Sequence, residues 1–451
     1  LDPDVPRKSI LALALLLVLT APTGGAVPAH AAPDDYKPRS GPTFNSPLGG
    51  AEVRRAIFRK IVRTIDSTKR GSSIKIFTWN LATEEGTTAL LRAQARGVRV
   101  KLIMDRQNNK EIPNPSFRRL RSGLVKGNAD WPAKRRSWAR MCSQSCRGAG
   151  GASHSKFFLF SEVGKVERVV MQGSANLTVA ATNNQWNDMY TYTGNRVAWR
   201  FANGVFNEAA RDKRLTTPFA SVAMKNSDFV MFPLAGKGSY DPVARLLNQV
   251  KCRGATNTPG GRTVIRIAPD VMREDRGMRL AVLVRELWNQ GCDIKVGYTV
   301  MGIDVGRFLR QPTGRGPVPL KHLVQDFDGD GEFDNYFHLK SMSVVGNVRG
   351  NRSGYAVLNG SANWSSAAAK SDENVGVYYT RALTLRYQDH INFWYENFPT
   401  SSFARPSARS SAGAVAGEQP LVFGSGRNAV YEDGTSAAPG GIDPFASMSK
   451  G

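Results

Sequence analysis

The sequence predicts a layered α/β fold made of two tandem copies of one unit, and three observations carry that expectation. Segments with helical and with strand-like apolar spacing alternate along the chain, the pattern of helices flanking a sheet. The order of these segments repeats. Two short signatures repeat with them: "SHSKFFLF" at 153–160 and "FHLKSMSV" at 337–344 place a histidine two residues before a lysine, and "QGSANLT" at 172–178 and "NGSANWS" at 359–365 share G-S-A-N.

Taken in order, the chain begins with Arg7 and Lys8 ahead of an apolar run from Ile10 to Thr20, followed by "AVPAHA". A basic start, a short apolar stretch and small residues at Ala29 and Ala31 predict a secretory signal peptide cleaved after Ala31, hence a secreted product. The run is too short to span a bilayer comfortably. "AEVRRAIFRKIVRTIDSTKRG" then has helical spacing, "SIKIFTW" at 73–79 alternates like a strand, "TTALLRAQARG" is helical and "VRVKLIMD" is a second strand. Much later the same order returns in "DPVARLLNQV", "TVIRIAP", "MRLAVLVRELWNQG" and "CDIKVGY". A helix stops at Gly97 and at Gly291, and Lys101 and Lys295 stand fourth after those glycines.

Each half next reaches its H-x-K, its G-S-A-N, a cluster of acids and amides ("QWNDMYTYT", "SDENVGVYYT") and an aromatic-rich helix ("VAWRFANGVFNEAARD", "LRYQDHINFWYENF"). The expected organisation is therefore a signal peptide at 1–31, an N-terminal half at 32–230 and a C-terminal half at 231–400, with the junction inside 215–240. Residues 401–451 turn to Ser, Ala, Gly and Pro and read as a disordered tail.

Composition narrows the partner. The chain has 451 residues, 41% of them hydrophobic, enough for a substantial core, and a formal net charge of +24. Such an excess suits a phosphate-bearing partner, whether nucleic acid or an anionic membrane, though solubility alone also accounts for it. Four cysteines in an exported chain favour disulfides over zinc, and proximity pairs Cys142 with Cys146 and Cys252 with Cys292.

Histidine is scarce, with five in the chain, which makes two H-x-K signatures informative. On a strand, residues i and i+2 share a face, so His154 with Lys156, and His338 with Lys340, would project into one cleft. A neutral imidazole can attack phosphorus, lysine can balance charge on the nonbridging oxygens, and the Ser and Asn of G-S-A-N can donate hydrogen bonds. Two copies are chemically useful because a phosphorylated histidine cannot also protonate the departing alkoxide. A second histidine does that and then activates water.

"HSK" with "GSAN" and "HLK" with "GSAN" resemble the two half-sites of the phospholipase D superfamily, over most of residues 50–400. The resemblance implies two phospholipase D-like α/β sandwich units packed about a pseudo-twofold axis, a phosphohistidine intermediate, and no cofactor for catalysis. Carried over, it nominates His154, Lys156, Ser174 and Asn176, and His338, Lys340, Ser361 and Asn363. A carboxylate after G-S-x-N commonly orients a histidine in this superfamily; Glu373 fits that position, and Asp188 is its counterpart, one residue off in the alignment of the halves. By the same analogy His154 is the nucleophile and His338 the acid and base. The Asp usual five residues after the lysine is absent, with Ser161 and Val345 in its place.

Two loops modify this picture. "DFDGDGEFD" spaces Asp326, Asp328, Asp330, Gly331 and Asp334 like the first nine positions of a calcium loop, but the twelfth is Phe337; a structural calcium and a solvated turn both fit. "WPAKRRSWARMCSQSCRG" interleaves Trp131 and Trp138 with Lys134, Arg135, Arg136, Arg140 and Arg147, which suits a membrane surface, stacked bases, or a solvated basic loop.

The leading expectation is thus a secreted, monomeric phosphodiesterase acting on the headgroup ester of phospholipids. A nuclease with the same site is the alternative, and transfer to an alcohol instead of water stays open. A binding protein without catalysis ranks last, because both histidines, lysines and asparagines are intact.

Overall fold

The structure is a computed structural model that describes residues 35–110, 114–327 and 333–399, with the backbone of two short strands at Val422–Phe423 and Val430–Tyr431. The proposed signal peptide and the rest of the tail lie outside the described residues. Among those described, no helix is long and apolar enough to cross a membrane.

The first sheet has strands β1 (Gly41–Phe44), β2 (Ser73–Phe77), β3 (Arg99–Asp105), β4 (Trp138–Cys142), β5 (Phe157–Val163), β6 (Val166–Gly173) and β7 (Asp188–Tyr192), in the order β1-β7-β6-β5-β2-β3-β4. Strands β2, β3 and β4 run parallel and the rest pair antiparallel. The second sheet contains β8 (Ala220–Met224), β9 (Ser227–Met231), β10 (Val264–Pro269), β11 (Asp293–Tyr298), β12 (Leu320–His322), β13 (Lys340–Val348), β14 (Asn351–Gly360) and β15 (Asn374–Tyr378). Their order, β8-β9-β15-β14-β13-β10-β11-β12, reproduces the first sheet strand for strand, with β8 added at one edge.

Helices α1 (Ala56–Asp66), α2 (Glu84–Ala95) and α3 (Pro115–Lys126) cover one face of the first sheet with Ile61, Leu90 and Leu120 fully buried; α4 (Arg196–Ala209) lies on the other. In the second lobe α5 (Pro242–Leu247), α6 (Glu274–Asn289) and α7 (Ile303–Arg310) bury Leu246, Val284 and Leu309 in the same way, and α8 (Arg381–Asn397) packs on β13 and β14. The helix stops at Gly97 and Gly291 arise because both adopt positive φ, 91° and 103°, where residues with a Cβ are disfavoured. The next N–H, of Val98 and of Cys292, then bonds back to Ala93 and Leu287.

The lobes share a core. Phe77, Phe157, Val170 and Tyr192 of the first pack with Phe229, Met231, Val357 and Tyr378 of the second. Burying several aromatic side chains at about 1.5–3 kcal/mol each makes the join a permanent part of the fold. Both disulfides form as proximity suggested, Cys142 with Cys146 and Cys252 with Cys292.

Candidate active site

The H-x-K signatures sit where β2 and β10 end and where β5 and β13 begin, but the histidines are not on regular strand. His154 and Lys156 lie in the segment leading into β5; His338 precedes β13, and Lys340 is its first residue. The i, i+2 relation survives as a hydrogen bond: Lys156 Nζ donates to the His154 carbonyl at 2.8 Å, and Lys340 Nζ to the His338 carbonyl at 3.0 Å. Each ammonium is locked to the backbone of its own histidine.

Both G-S-A-N glycines are required by close approach. A Cβ at Gly173 would come 2.2 Å from the Asp188 carbonyl oxygen, and one at Gly360 would come 2.0 Å from that of Asn374. The following serines are not left to bind substrate. Ser174 Oγ donates to Asn187 Oδ1 at 2.9 Å and accepts from Asp188 N at 3.0 Å; Ser361 Oγ donates to Glu373 Oε2 and accepts from Asn374 N at 2.9 Å. They hold the groups that hold the histidines.

Those orienting groups cross between the lobes. His154 of the first lobe directs Nδ1 to Glu373 of the second, 2.8 and 2.9 Å from its two oxygens. His338 of the second directs Nδ1 to Asn187 Oδ1 of the first at 2.7 Å. The Asn187 oxygen is identified by its own amide nitrogen, which donates to the Ala181 carbonyl and to Gln185 Oε1. The backbone crosses too: His154 N donates to Asp372 O and Lys156 N to Asn374 Oδ1, while His338 N donates to Trp186 O. With an acceptor on Nδ1, each neutral imidazole presents the Nε2 lone pair to the cleft.

Asp188 is therefore not the orienting group. It is buried beneath the site, accepting from Asn359 and from the Tyr387 hydroxyl, and burial raises its carboxyl above the usual range. The spacing carried the signal: Asn187 stands 13 residues from Ser174 and Glu373 stands 12 from Ser361. Asp188 is the counterpart of Asn374, both taking the backbone contact to the serine.

A second asymmetry lies opposite the orienting groups. Trp79 and Asp270 occupy equivalent places past β2 and β10, since their carbonyls accept from Asp105 N and from Thr299 N at the ends of the neighbouring parallel strands. The Trp79 ring lies edge-on to His154, centroids 6.1 Å apart. Asp270 Oδ2 instead lies 3.8 Å from His338 Nε2 and 3.0 Å from Lys340 Nζ. One histidine has an apolar wall and a carboxylate behind it; the other has a carboxylate in front and a neutral amide behind.

The centre is closed to bulk water, with His154, Lys156, Asn176, His338, Lys340 and Asn363 no more than 5% exposed. Burial accordingly shifts the lysines and carboxyls of the centre toward their neutral forms. It lowers both lysines, Lys156 strongly, with Glu373 and Asp270 acting the other way on Lys156 and Lys340 respectively. It raises Asp270 against the pull of Lys340, and it pushes Glu373 up to about 8 against that of Lys156. Lys340 also disfavours the Lys156 ammonium, so the two half-sites are within electrostatic reach. Asn176 Oδ1 accepts from the Thr78 hydroxyl at 3.5 Å, and the Asn363 carbonyl accepts from buried Arg276.

Other expected residues lie elsewhere. Ser161 accepts from Ser73 N at 2.8 Å, capping β2 where the superfamily's Asp is missing. Arg147 is buried and structural, paired with Glu208 at 3.0 Å and donating to Phe232 O at 3.1 Å, so it leaves the basic loop; Arg135 over Trp131 and Arg140 over Trp138 remain at the surface. Asp328 and Asp330 of the candidate calcium loop lie outside the described residues, while Asp334 Oδ2 accepts from Phe327 N.

A duplicated sheet carrying two crossed histidine–lysine pairs defines an α/β protein with a double half-site. Residues 61–206, within the first lobe, match the family described as cardiolipin synthase, PLD-like domain. Two solved structures share the fold. Polyphosphate kinase from Porphyromonas gingivalis is 12% identical over 79% of this chain and 50% of its own, with a TM-score of 0.52. Phosphatidylserine synthase from Haemophilus influenzae Rd KW20 is 13% identical over 79% of this chain and 86% of its own, also with a TM-score of 0.52. The chain thus spans half the length of the kinase. No curated protein matches it in sequence.

Proposed function

We propose that the protein is a secreted enzyme that cleaves a phosphodiester through a covalent phosphohistidine on His154, with the headgroup ester of a phospholipid as its substrate. The observation that carries the chemistry is the unequal dressing of two otherwise equivalent histidines. Glu373 behind His154 compensates the positive charge that grows on the ring as Nε2 bonds to phosphorus, while Trp79 keeps water off that face. Asp270 in front of His338 favours its imidazolium, the form that protonates the leaving oxygen.

In the first step Nε2 of His154 bonds to phosphorus, the bond to the leaving oxygen breaks, and that oxygen takes the proton of His338. In the second, His338 removes a proton from water, whose oxygen displaces His154 from phosphorus. An alcohol in place of that water gives transfer instead of hydrolysis. Lys156 and Lys340 face the nonbridging oxygens, with Asn176 and Asn363 beside them. Export agrees with the two disulfides, which persist in an oxidising compartment.

Phospholipid is favoured by the description of the matched family. A nucleic-acid phosphodiester is the second reading, favoured by a cationic strip on the first lobe described below. Parallel assays on phosphatidylcholine vesicles and single-stranded DNA decide between them, with His154→Ala and His338→Ala as controls. Choline release abolished in both variants supports the lipid reading; DNA shortening alone, with the same dependence, moves the substrate to nucleic acid. Activity that survives both substitutions removes the site from the account.

The role given to Asp270 has its own expected result. In Asp270→Asn the anion facing His338 Nε2 is lost, so His338 gives up its proton more readily and the alkaline limb of the kcat profile moves to lower pH. The shift is about one unit, the equivalent of about 1.4 kcal/mol. An unmoved limb would leave Asp270 only as the partner of Lys340.

A further inference from the structure

The two lobes carry the same cations at the same places and treat them oppositely. In the second lobe Arg266 on β10 pairs across to Lys295 on β11, Val264 to Asp293, and Gly297 to Lys321 on β12. In the first, Lys75 on β2 pairs across to Lys101 on β3, Ser73 to Arg99, and Ile103 to Arg140 on β4. The covering helices correspond as well: the equivalent cations Lys75 and Arg266 donate to Asn203 of α4 and to Asn392 of α8, and four residues further along each helix stand Asn207 and Glu396.

The second lobe neutralises its set. Arg266 is paired with Asp293 at 2.9 Å and donates to Asn392, Lys295 is paired with Glu396, and Lys321 donates to the Glu396 carbonyl at 3.3 Å. In the first lobe the position of Asp293 is Arg99 and that of Glu396 is Asn207. Lys75 donates to Asn203 and Asn207 at 2.6 and 2.7 Å, two neutral amides. The charged groups acting on Lys75 are Lys101 and Arg99, and those acting on Lys101 are Arg99 and Arg140. Three cations face two carboxylates in one lobe; among the described residues none of the four cations in the other, Lys75, Arg99, Lys101 and Arg140, forms an ion pair with a carboxylate.

A fold that can seat two acids here, and does so once, has left the first lobe with uncompensated charge. We propose that the outer edge of the first lobe, from Arg99 and Lys101 through Arg140, is a binding surface for a single nucleic-acid strand held by its phosphates. The partner is argued from the strip's own charge and shape and goes beyond the lipid reading above. The cations line the face of β3 and β4 beside α4, and the strip runs with the parallel strands. At its far end lie exposed Lys134, Arg135 and Arg136. At its near end β4 reaches Cys142, where the sheet meets the catalytic segments, and Arg140 donates to the Ala210 carbonyl just past α4.

The shape favours a strand over a bilayer. The large exposed apolar side chains, Leu48, Val125, Val179 and Phe393 among them, are not residues of the strip, and its two half-buried indoles, Trp131 and Trp138, lie under the cations of Arg135, Lys101 and Arg140 instead of standing clear for insertion. A phosphate backbone needs only cations in a line.

The test gives the first lobe the acids of the second, as Arg99→Asp with Asn207→Glu in the full chain. Binding of a fluorescein-labelled oligothymidylate is followed by anisotropy across a salt series. The expected result is an affinity roughly tenfold or more lower at 0.1 M salt, with the slope of log K against log salt reduced by about 1.4, as for two lost phosphate contacts on a single strand. If the thermal midpoint falls, Lys101→Ala with Arg140→Ala replaces the pair and the same loss is expected. Unchanged affinity and slope overturn the proposal, as does wild-type binding to phosphatidylglycerol vesicles without binding to the oligonucleotide. Failure of the catalytic reading looks different: no phosphoryl-enzyme forms, while oligonucleotide binding and its salt slope remain.

Discussion

His338→Ala is expected to stall with the phosphoryl-bearing half of its substrate covalently attached to His154. On a nitrophenyl phosphodiester, whose leaving group needs no proton, the variant should release a single burst of nitrophenol and then stop, because no base remains to activate water. Steady-state turnover falls by roughly 10²–10⁴, the usual worth of a positioned acid and base. His154→Ala gives neither burst nor turnover. Peptide mapping locates the adduct, and a phosphoramidate found on His338 in the wild type would reverse the roles. The expectation follows from what touches each ring. Glu373 stands behind the histidine that must become cationic on bonding to phosphorus, and Asp270 stands before the one that must arrive protonated.

Glu373→Gln should cost nearly as much and for a separable reason. The amide keeps the shape of the side chain and can still accept from Ser361, but it removes the charge opposite His154 Nδ1. A kcat lower by about 10²–10⁴ with little change in KM is the outcome expected of an interaction that strengthens only in the transition state.

The pH profile adds a sign. Burial pushes Glu373 up to about 8, so the His154–Glu373 pair keeps an extra proton to unusually high pH. While that proton is present, Nε2 has no lone pair to offer. The wild-type acid limb is therefore expected toward pH 8, and in Glu373→Gln, with no anion to retain the proton, it moves to lower pH. An acid limb at the same pH in both proteins would rule out Glu373 as the group that sets it.

Much of this site was legible in the sequence because its reactive parts are local. A histidine two residues from a lysine, and an asparagine two residues after a serine, survive translation into structure whatever packs around them. Element order was legible for a similar reason, since apolar spacing, the stops at Gly97 and Gly291 and the alternation of β2 and β10 are each set within a few residues. The histidines are off regular strand because, just before β5 and β13, the backbone of each segment leaves its own ladder to hydrogen-bond with the other lobe, His154 N to Asp372 O and His338 N to Trp186 O. Asp188 is the acid nearest the expected place, yet Asn187 is the residue behind His338. Along an extended segment a single residue of slip exchanges the side chain facing the histidine for the one facing the core.

By itself the sequence determined the chemistry available: two imidazole–ammonium pairs, a duplicated α/β unit to carry them, and an excess of positive charge. Tertiary structure decided which group serves which. Glu373 reaches His154 across 219 residues and Asn187 reaches His338 across 151, pairings created by one lobe docking on the other. The same docking left Trp79 facing one histidine and Asp270 the other, and only the strand registers and the matching helix contacts of the two lobes expose Arg99 and Asn207 as the places where the second lobe has acids. Electrostatic roles depend on what lies a few ångströms away through space, and in a fold built from two copies that distance is set by packing between the copies instead of by separation along the chain.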